Sequence, residues 1–229
     1  MSVFIIGDPH LSQSVEKPMD IFGGVWENYT EKLTENWKKV VSENDTVILA
    51  GDISWGMNLR EALADFKLLD SLPGKKLLLK GNHDYWWETV SKMKRFLEEN
   101  DIKTIDFIYN NSFTVDGISI CGTRGWTVET ENTTEKDKKI ILREAGRLER
   151  SLASAPTDTE KIAVLHYPPI FEDYAACEIL EVMQKYGVKR CFYGHLHSAS
   201  VKKAKKGEIF GIKFYLVSAD SIDFLPISI

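Results

Sequence analysis

Leu77-Leu78-Leu79 runs straight into Lys80-Gly81-Asn82-His83-Asp84, and this stretch constrains the fold of the chain most severely. A short apolar run bounded by turn residues reads as a buried strand. Glycine permits a tight turn, after which an amide, an imidazole and a carboxylate follow consecutively. Polar groups gathered at the carboxyl end of a strand converge on a ligand, because open α/β sheets bind at that edge. The same grammar recurs at Val3–Ile6 before Gly7-Asp8-Pro9-His10, and at Thr46–Ala50 before Gly51-Asp52. It recurs again at Ile162–Leu165 before His166, and at Arg190–Tyr193 before Gly194-His195-Leu196-His197.

Between these runs the apolar period changes to that of a helix. Trp26, Tyr29, Leu33, Trp37 and Val40 predict an amphipathic helix over Trp26–Val41 with a core-facing aromatic stripe. Further helices are expected over Leu59–Leu72, closed by Pro73-Gly74, and over Tyr85–Asn100. Strands alternating with helices predict a parallel sheet covered by helices. After Asp101 the pattern shifts to short strands at Ile105–Tyr109, Ser112–Val115 and Ile118–Gly122, with Asp116-Gly117 as a hairpin signal. Helices are then expected from Thr133 to about Ser154 and from Tyr174 to Tyr186. The basic segment Lys202–Lys206 with Gly207 reads as a solvated hairpin, and Ile209–Val217 and Ile222–Leu225 as closing strands.

The 229 residues are read as a single domain spanning 1–229, with 43% hydrophobic and 28% charged residues as in ordinary globular proteins. No apolar run reaches the length of a membrane span, and Met1–Asp8 reads as a first strand rather than a signal peptide. A net charge of -5 argues against extended nucleic acid as a partner, but accommodates a small phosphorylated substrate or a short nucleotide. Cys121, Cys177 and Cys191 form no CxxC and are expected to be reduced, buried thiols, which places the chain in the cytoplasm. The oligomeric state is left open.

All five histidines, His10, His83, His166, His195 and His197, lie just past an apolar run beside Gly, Pro, Asn or Asp. Surface or core histidines would also fall on helices, and none does. Imidazole, carboxylate and amide oxygen together suit divalent cations such as Mn²⁺, Zn²⁺ and Fe²⁺, with Mg²⁺ or Ni²⁺ as alternatives. Asp8, His10, Asp52, Asn82, His166, His195 and His197 are too many ligands for one tetrahedral ion, and suffice for two if a carboxylate bridges. Two divalent cations against two carboxylates leave a positive site, suited to a phosphate oxyanion.

Asp8-x-His10, Gly51-Asp52, Gly81-Asn82-His83-Asp84, His166 and Gly194-His195-x-His197 together resemble the calcineurin-like metallophosphoesterases, block by block and in order. The resemblance implies a four-layer α/β/β/α sandwich of two mixed sheets flanked by helices. It implies that Asp8, His10, Asp52 and His197 hold one metal, and that Asp52, Asn82, His166 and His195 hold the other. It makes His83 a catalytic group facing the phosphate, with Asp84 bonded to its imidazole. The expected activity is hydrolysis of a phosphomonoester or phosphodiester by attack of a metal-bound hydroxide, on a small or nucleotide-like substrate. Lys80 and Asp84 stand where the protein serine/threonine phosphatases of the family usually carry Arg and Glu, which disfavours that alternative. A nuclease fits poorly with the acidic balance, and a catalytically silent interaction module poorly with an intact His83. Arg124 and Lys80 are candidate phosphate contacts, and Trp55 a candidate wall for a base or aryl group, with Trp86, Trp87 and Trp126 also near motif loops.

Overall fold

The protein is described by a computed structural model, over residues 1–128 and 133–229. Strand β1 (Val3–Ile6) is buried along its whole length, which explains why a continuous apolar run encodes it. Helix α1 spans Tyr29–Val40, starting three residues after the expected Trp26. Asn28 adopts a left-handed conformation (φ 53°) that breaks the helix there, and Trp26 closes a short 3₁₀ turn instead. Next come β2 (Thr46–Leu49), α2 (Leu63–Ser71), β3 (Lys75–Leu78), α3 (Val90–Glu99) and β4 (Ile105–Phe107). Helix α2 also starts later than expected, after an Asn58–Glu61 turn in which Asn58 Oδ1 accepts from the Arg60 and Glu61 amides. The start of α3 lies at Val90 rather than Tyr85, because Thr89 caps it by accepting from the Lys92 amide. Trp86 and Trp87 therefore sit in the preceding turn.

The second half opens with the hairpin β5 (Ser112–Val115) and β6 (Ile118–Thr123). Its turn residues Asp116 and Gly117 both have positive φ, 50° and 81°, as a tight primed turn demands. Helix α4 (Glu135–Ala153) follows, started by a reciprocal cap between Thr134 and Asp137. Beyond it lie β7 (Glu160–Leu165), the small pair β8 (Ile170–Phe171) and β9 (Tyr174–Ala175), α5 (Cys177–Lys185) and β10 (Arg190–Tyr193). The chain closes with β11 (Gly207–Ile209), β12 (Ile212–Leu216) and β13 (Ile227–Ser228). Several expectations need correction here. Tyr174 belongs to a strand rather than a helix, and a 3₁₀ helix over Ser198–Lys203 takes the first two residues of the basic segment. The closing strand turns at Phe210-Gly211, and the final strand lies beyond Ile222–Leu225.

The first sheet has the order β13-β1-β2-β3-β4 and the second β11-β12-β10-β7-β6-β5. Strands β1 to β4 run parallel, as do β6, β7, β10 and β12. Successive side chains along a strand face opposite ways. Ile5, Ile48 and Leu77 meet Ile120, Ile162, Val164 and Phe192 between the sheets. Phe4, Ile6, Val47, Leu49 and Leu78 pack outward on Trp37, Phe66 and Met93 of the first three helices. Cys121, Ala163, Leu165 and Cys191 pack on Leu148, Leu152, Ile179 and Met183 of α4 and α5. Each fully buried Val, Leu, Ile, Phe or Met side chain among these contributes about 1.5–3 kcal/mol. The result is four layers, α/β/β/α. Cys177, expected inside, is exposed at the start of α5. The Gly7 amide bonds the Val217 carbonyl (2.7 Å) and the Ala219 amide bonds the Gly7 carbonyl (2.9 Å), stitching the two sheets at one end. Both sets of parallel strands end there.

Candidate metal centre

Past the ends of β1 and β2 the backbones stay paired. The amides of Asp8, His10 and Leu11 bond the carbonyls of Gly51, Asp52 and Ile53 at 2.9, 3.0 and 2.9 Å. Two ligand-bearing loops are thus held side by side by their own ladder. Asp8, His10, Asp52 and His195 all have positive φ, at 55°, 46°, 51° and 72°. Non-glycine residues seldom adopt that conformation, and a cluster of four marks backbone held against its preference at one place. Gly81 and Gly194 allow the close approach: a Cβ on the first would overlap Asp52, and on the second the Asp8 carboxylate.

The side chains converge. His10 Nε2 and His197 Nε2 face each other at 3.3 Å, and His197 Nε2 lies 3.3 Å from Asp8 Oδ1. His166 stands 3.6 Å from Asp8 Oδ1 through Nδ1 and 3.5 Å from Asp52 Oδ2 through Nε2. The Asn82 amide oxygen is 2.7 Å from His166 Nε2 and 2.9 Å from His195 Nδ1. Asp8, His10 and His197 form one set whose ligand atoms lie within 4.8 Å of one another, and Asp8, Asp52 and His166 form another. All seven residues proposed as ligands from the sequence lie together; Asp8 belongs to both sets, and Asp52 Oδ2 stands 3.7 Å from His10 Nε2.

Charge in this cluster is set by its surroundings. Burial and the adjacent Asp8 push the Asp52 carboxyl up to about 8. Burial also opposes ionisation of Asp8, but His197, His166 and His10 hold it well below the usual carboxylate range. Burial works against an imidazolium at His197 as well, yet Asp8 and Asp220 push it up to about 10. Burial and His166 take His195 down to about 3, and burial and His197 take His10 well below its ordinary value. Carboxylates and imidazoles buried this close together cannot all carry their ordinary charge at once. Oxygen and imidazole donors without thiolates are also the chemistry that divalent ions take. The residues fit a metal pair.

A family model described as "Calcineurin-like phosphoesterase" matches residues 1–199. The chain belongs to the calcineurin-like phosphoesterase family. No curated protein matches the sequence. Among solved structures, AQ665 of Aquifex aeolicus, a protein of unknown function, is 18% identical with a TM-score of 0.54, over 99% of this chain and 95% of that one. The phosphopantetheinyl hydrolase of Mycobacterium tuberculosis is 15% identical with a TM-score of 0.55, over 95% and 88%. TT1561 of Thermus thermophilus is 12% identical with a TM-score of 0.55, over 96% and 89%. At these identities the likeness speaks for the fold.

Asp84 of this calcineurin-like phosphoesterase corrects one expectation. It makes no bond to the His83 imidazole among the described residues. Its carboxylate accepts instead from the amides of Asp52 (2.9 Å), Ile53 (2.8 Å), Ser54 (3.3 Å) and Gly81 (2.7 Å), and from Trp86 Nε1 (3.0 Å). One buried carboxylate thus ties the loop after β2 to the loop after β3, and positions both through their backbones. Asp84→Asn turns an NH₂ toward at least two of these donors. It is expected to cost about 3 kcal/mol of stability, read from the urea midpoint. Unchanged stability with lowered turnover would instead return Asp84 to the role of orienting His83.

Asp220 escapes a reading of the sequence, because nothing in Ser218-Ala219-Asp220 marks it locally. It lies 3.1 Å from His197 Nδ1 and accepts from the Ser198 amide at 2.8 Å, fixing the ring so that Nε2 faces the centre. Asp220→Ala is expected to weaken metal affinity by ~10–100-fold in chelator competition. Full affinity would show that the ring needs no such support.

The aromatic residues divide. Trp55 stacks on His10 (4.9 Å, 20°) and lies 4.6 Å from His83, so it walls the centre. Trp26 meets His197 edge-on at 5.6 Å. Trp86 is fully buried under the loop, Trp87 packs on Phe107, and Trp126 packs on Tyr167. The His83 amide donates to Asp52 Oδ1 (2.8 Å), while its half-buried ring stands at the rim with Nδ1 unbonded by any described residue. Lys80 and Arg124 line a cavity next to the centre rather than the centre itself.

Proposed function

We propose that residues 1–229 act as one metallophosphoesterase domain that hydrolyses a phosphomonoester or phosphodiester of a small or nucleotide-like substrate. The observation that carries this is the convergence of Asp8, His10, Asp52, Asn82, His166, His195 and His197 at the shared end of both sheets. Asp8, His10, Asp52 and His197 would hold one divalent ion, manganese, iron or zinc, and Asp52, Asn82, His166 and His195 the other. Two such ions, when bound, supply an acidified water and offset charge growing on phosphoryl oxygens.

The chain's own residues do the rest. Asp52 presents Oδ2 to His10 and His166, while its Oδ1 accepts from the His83 amide and its own amide donates to Asp84. His83 is kept by burial and by nearby His166 below its ordinary basicity, and its ring stands at the rim to hold a proton toward the departing oxygen. Trp55 fixes the His10 and His83 rings and covers one side of the reacting group. The fold shared with a phosphopantetheinyl hydrolase supports small-phosphoester chemistry. Among the described residues no helix is long and apolar enough to cross a membrane. The free thiol of exposed Cys177 supports a reducing, cytoplasmic setting.

Aryl phosphate mono- and diesters assayed with added Mn²⁺ test the reaction class. The expected result is turnover that a chelator abolishes and metal restores, insensitive to salt and without cleavage of DNA. Absence of turnover across several metals and esters would revive the catalytically silent module.

A further inference from the structure

Beside the metal centre lies a cavity of ≈ 210 Å³ that the proposed hydrolysis does not use. Its charged walls come from three places, Lys80 after β3, Arg124 after β6, and Arg143, Glu144 and Arg147 on α4, and the segment 108–110 after β4 also lines it. Arg143 and Arg147 are four residues apart, hence on one helix face. Glu144 is fully buried, and its oxygens are taken by Thr123 Oγ1 (2.6 Å), Arg147 (2.8 Å) and Arg143 (3.4 Å). It therefore fixes the α4 guanidinium groups rather than opposing an incoming anion. Four cations against one carboxylate leave three positive charges here, in a chain whose net charge is -5.

The cavity shares its walls with the centre. Lys80 precedes Asn82 by two residues, and the Arg124 carbonyl accepts from the amides of His166 (3.1 Å) and Tyr167 (2.9 Å). The Arg124 guanidinium lies over Trp126 and Tyr167, 5.4 and 5.8 Å from the ring centres, and the Tyr167 ring is 4.3 Å from that of His195. Arg124 Nε is buried and no described residue bonds it. At ≈ 210 Å³ the space is below the ~300–1,000 Å³ of a whole-ligand pocket, so it receives a group rather than a molecule.

We propose that this cavity is a second phosphoryl subsite, so that the natural substrate carries another phosphoryl group besides the ester cleaved at the metal centre. Lys80, Arg124, Arg143 and Arg147 receive it. A phosphoryl dianion matches three unbalanced positive charges and several guanidinium forks better than a single carboxylate does. The subsite rests on the phosphoesterase reading for its substrate, but its anion binding is separable from it.

The test uses the purified full chain, alkanediol monophosphates and bisphosphates of increasing length, and ω-carboxyalkyl phosphates. At the best length the bisphosphate is expected to exceed the monophosphate in kcat/KM by ~10–100-fold. Arg143→Gln/Arg147→Gln, and separately the surface variant Arg143→Gln, should shrink that ratio. Calorimetric titration with inorganic phosphate supplies a readout independent of turnover, and the double variant should lose one phosphate site. Equal ratios in all proteins with unaltered phosphate binding, or an equal preference for the carboxylate series, overturn the subsite while leaving the phosphoesterase reading intact. No hydrolysis of any ester, with a phosphate site that the variants abolish, retains the subsite and sinks that reading.

Discussion

Replacing His83 with alanine is expected to lower phosphoester turnover by ~10²–10⁴ while both metal ions stay bound. The separation of effects follows from where the residue stands. Its backbone amide supports Asp52 at 2.8 Å, and alanine keeps that amide. Its ring lies at the rim, 5.8 Å from His10 and 4.6 Å from Trp55, and is not needed to complete either ligand set. The loss should therefore fall on turnover rather than on metal content, and esters with good leaving groups should suffer least, since they need little protonation on departure. Loss of metal in the same variant would make His83 a ligand. Normal turnover would remove it from the chemistry altogether.

Asp52→Asn is expected to reduce turnover by ~10³ or more, beyond the ~10–100-fold that losing a partner of a ligand costs. Metal content should drop below two per chain. Asparagine keeps the shape and the oxygen that accepts from the His83 amide, but removes the charge two cations would share. The metal-free protein should respond in the opposite direction. Burial and Asp8 raise the Asp52 carboxyl from 3.8 to about 8, so the folded state binds the proton more tightly than the unfolded chain. The contribution of Asp52 is thus fully present below the unfolded value and is lost as pH rises through about 8. Asp52→Asn should flatten that decline and leave the metal-free fold as stable or more so, at the expense of function. A variant that both unfolds and loses metal would mean that the carboxylate serves the fold instead.

The strands and the polar turns after them were legible because both are local: a buried parallel strand writes a continuous apolar run, and the ligand follows within a few residues. Helix starts were less so. Asn28 and Thr89 interrupt apolar periodicities that continue through them, and backbone conformation and capping decided the boundary. The role of Asp84 was hidden because its donors at Asp52, Ile53 and Ser54 are 30 to 32 residues away, whereas His83 is adjacent in sequence. Asp220 was hidden for the same reason, lying 23 residues from the ring it holds. The four tryptophans near motif blocks looked alike in sequence, yet only Trp55 packs against His10 and His83, since Trp86 is drawn under the loop by its bond to Asp84. The basic cavity needed α4, remote in sequence from Lys80, to bring Arg143 and Arg147 beside it.

Anomalous diffraction from crystals grown with Mn²⁺ tests the central claim most directly. Two peaks are predicted, one among Asp8, His10, Asp52 and His197 and the other among Asp52, Asn82, His166 and His195, with Asp52 touching both. A single peak, or peaks away from these side chains, would contradict a dinuclear centre at the meeting point of the two sheets.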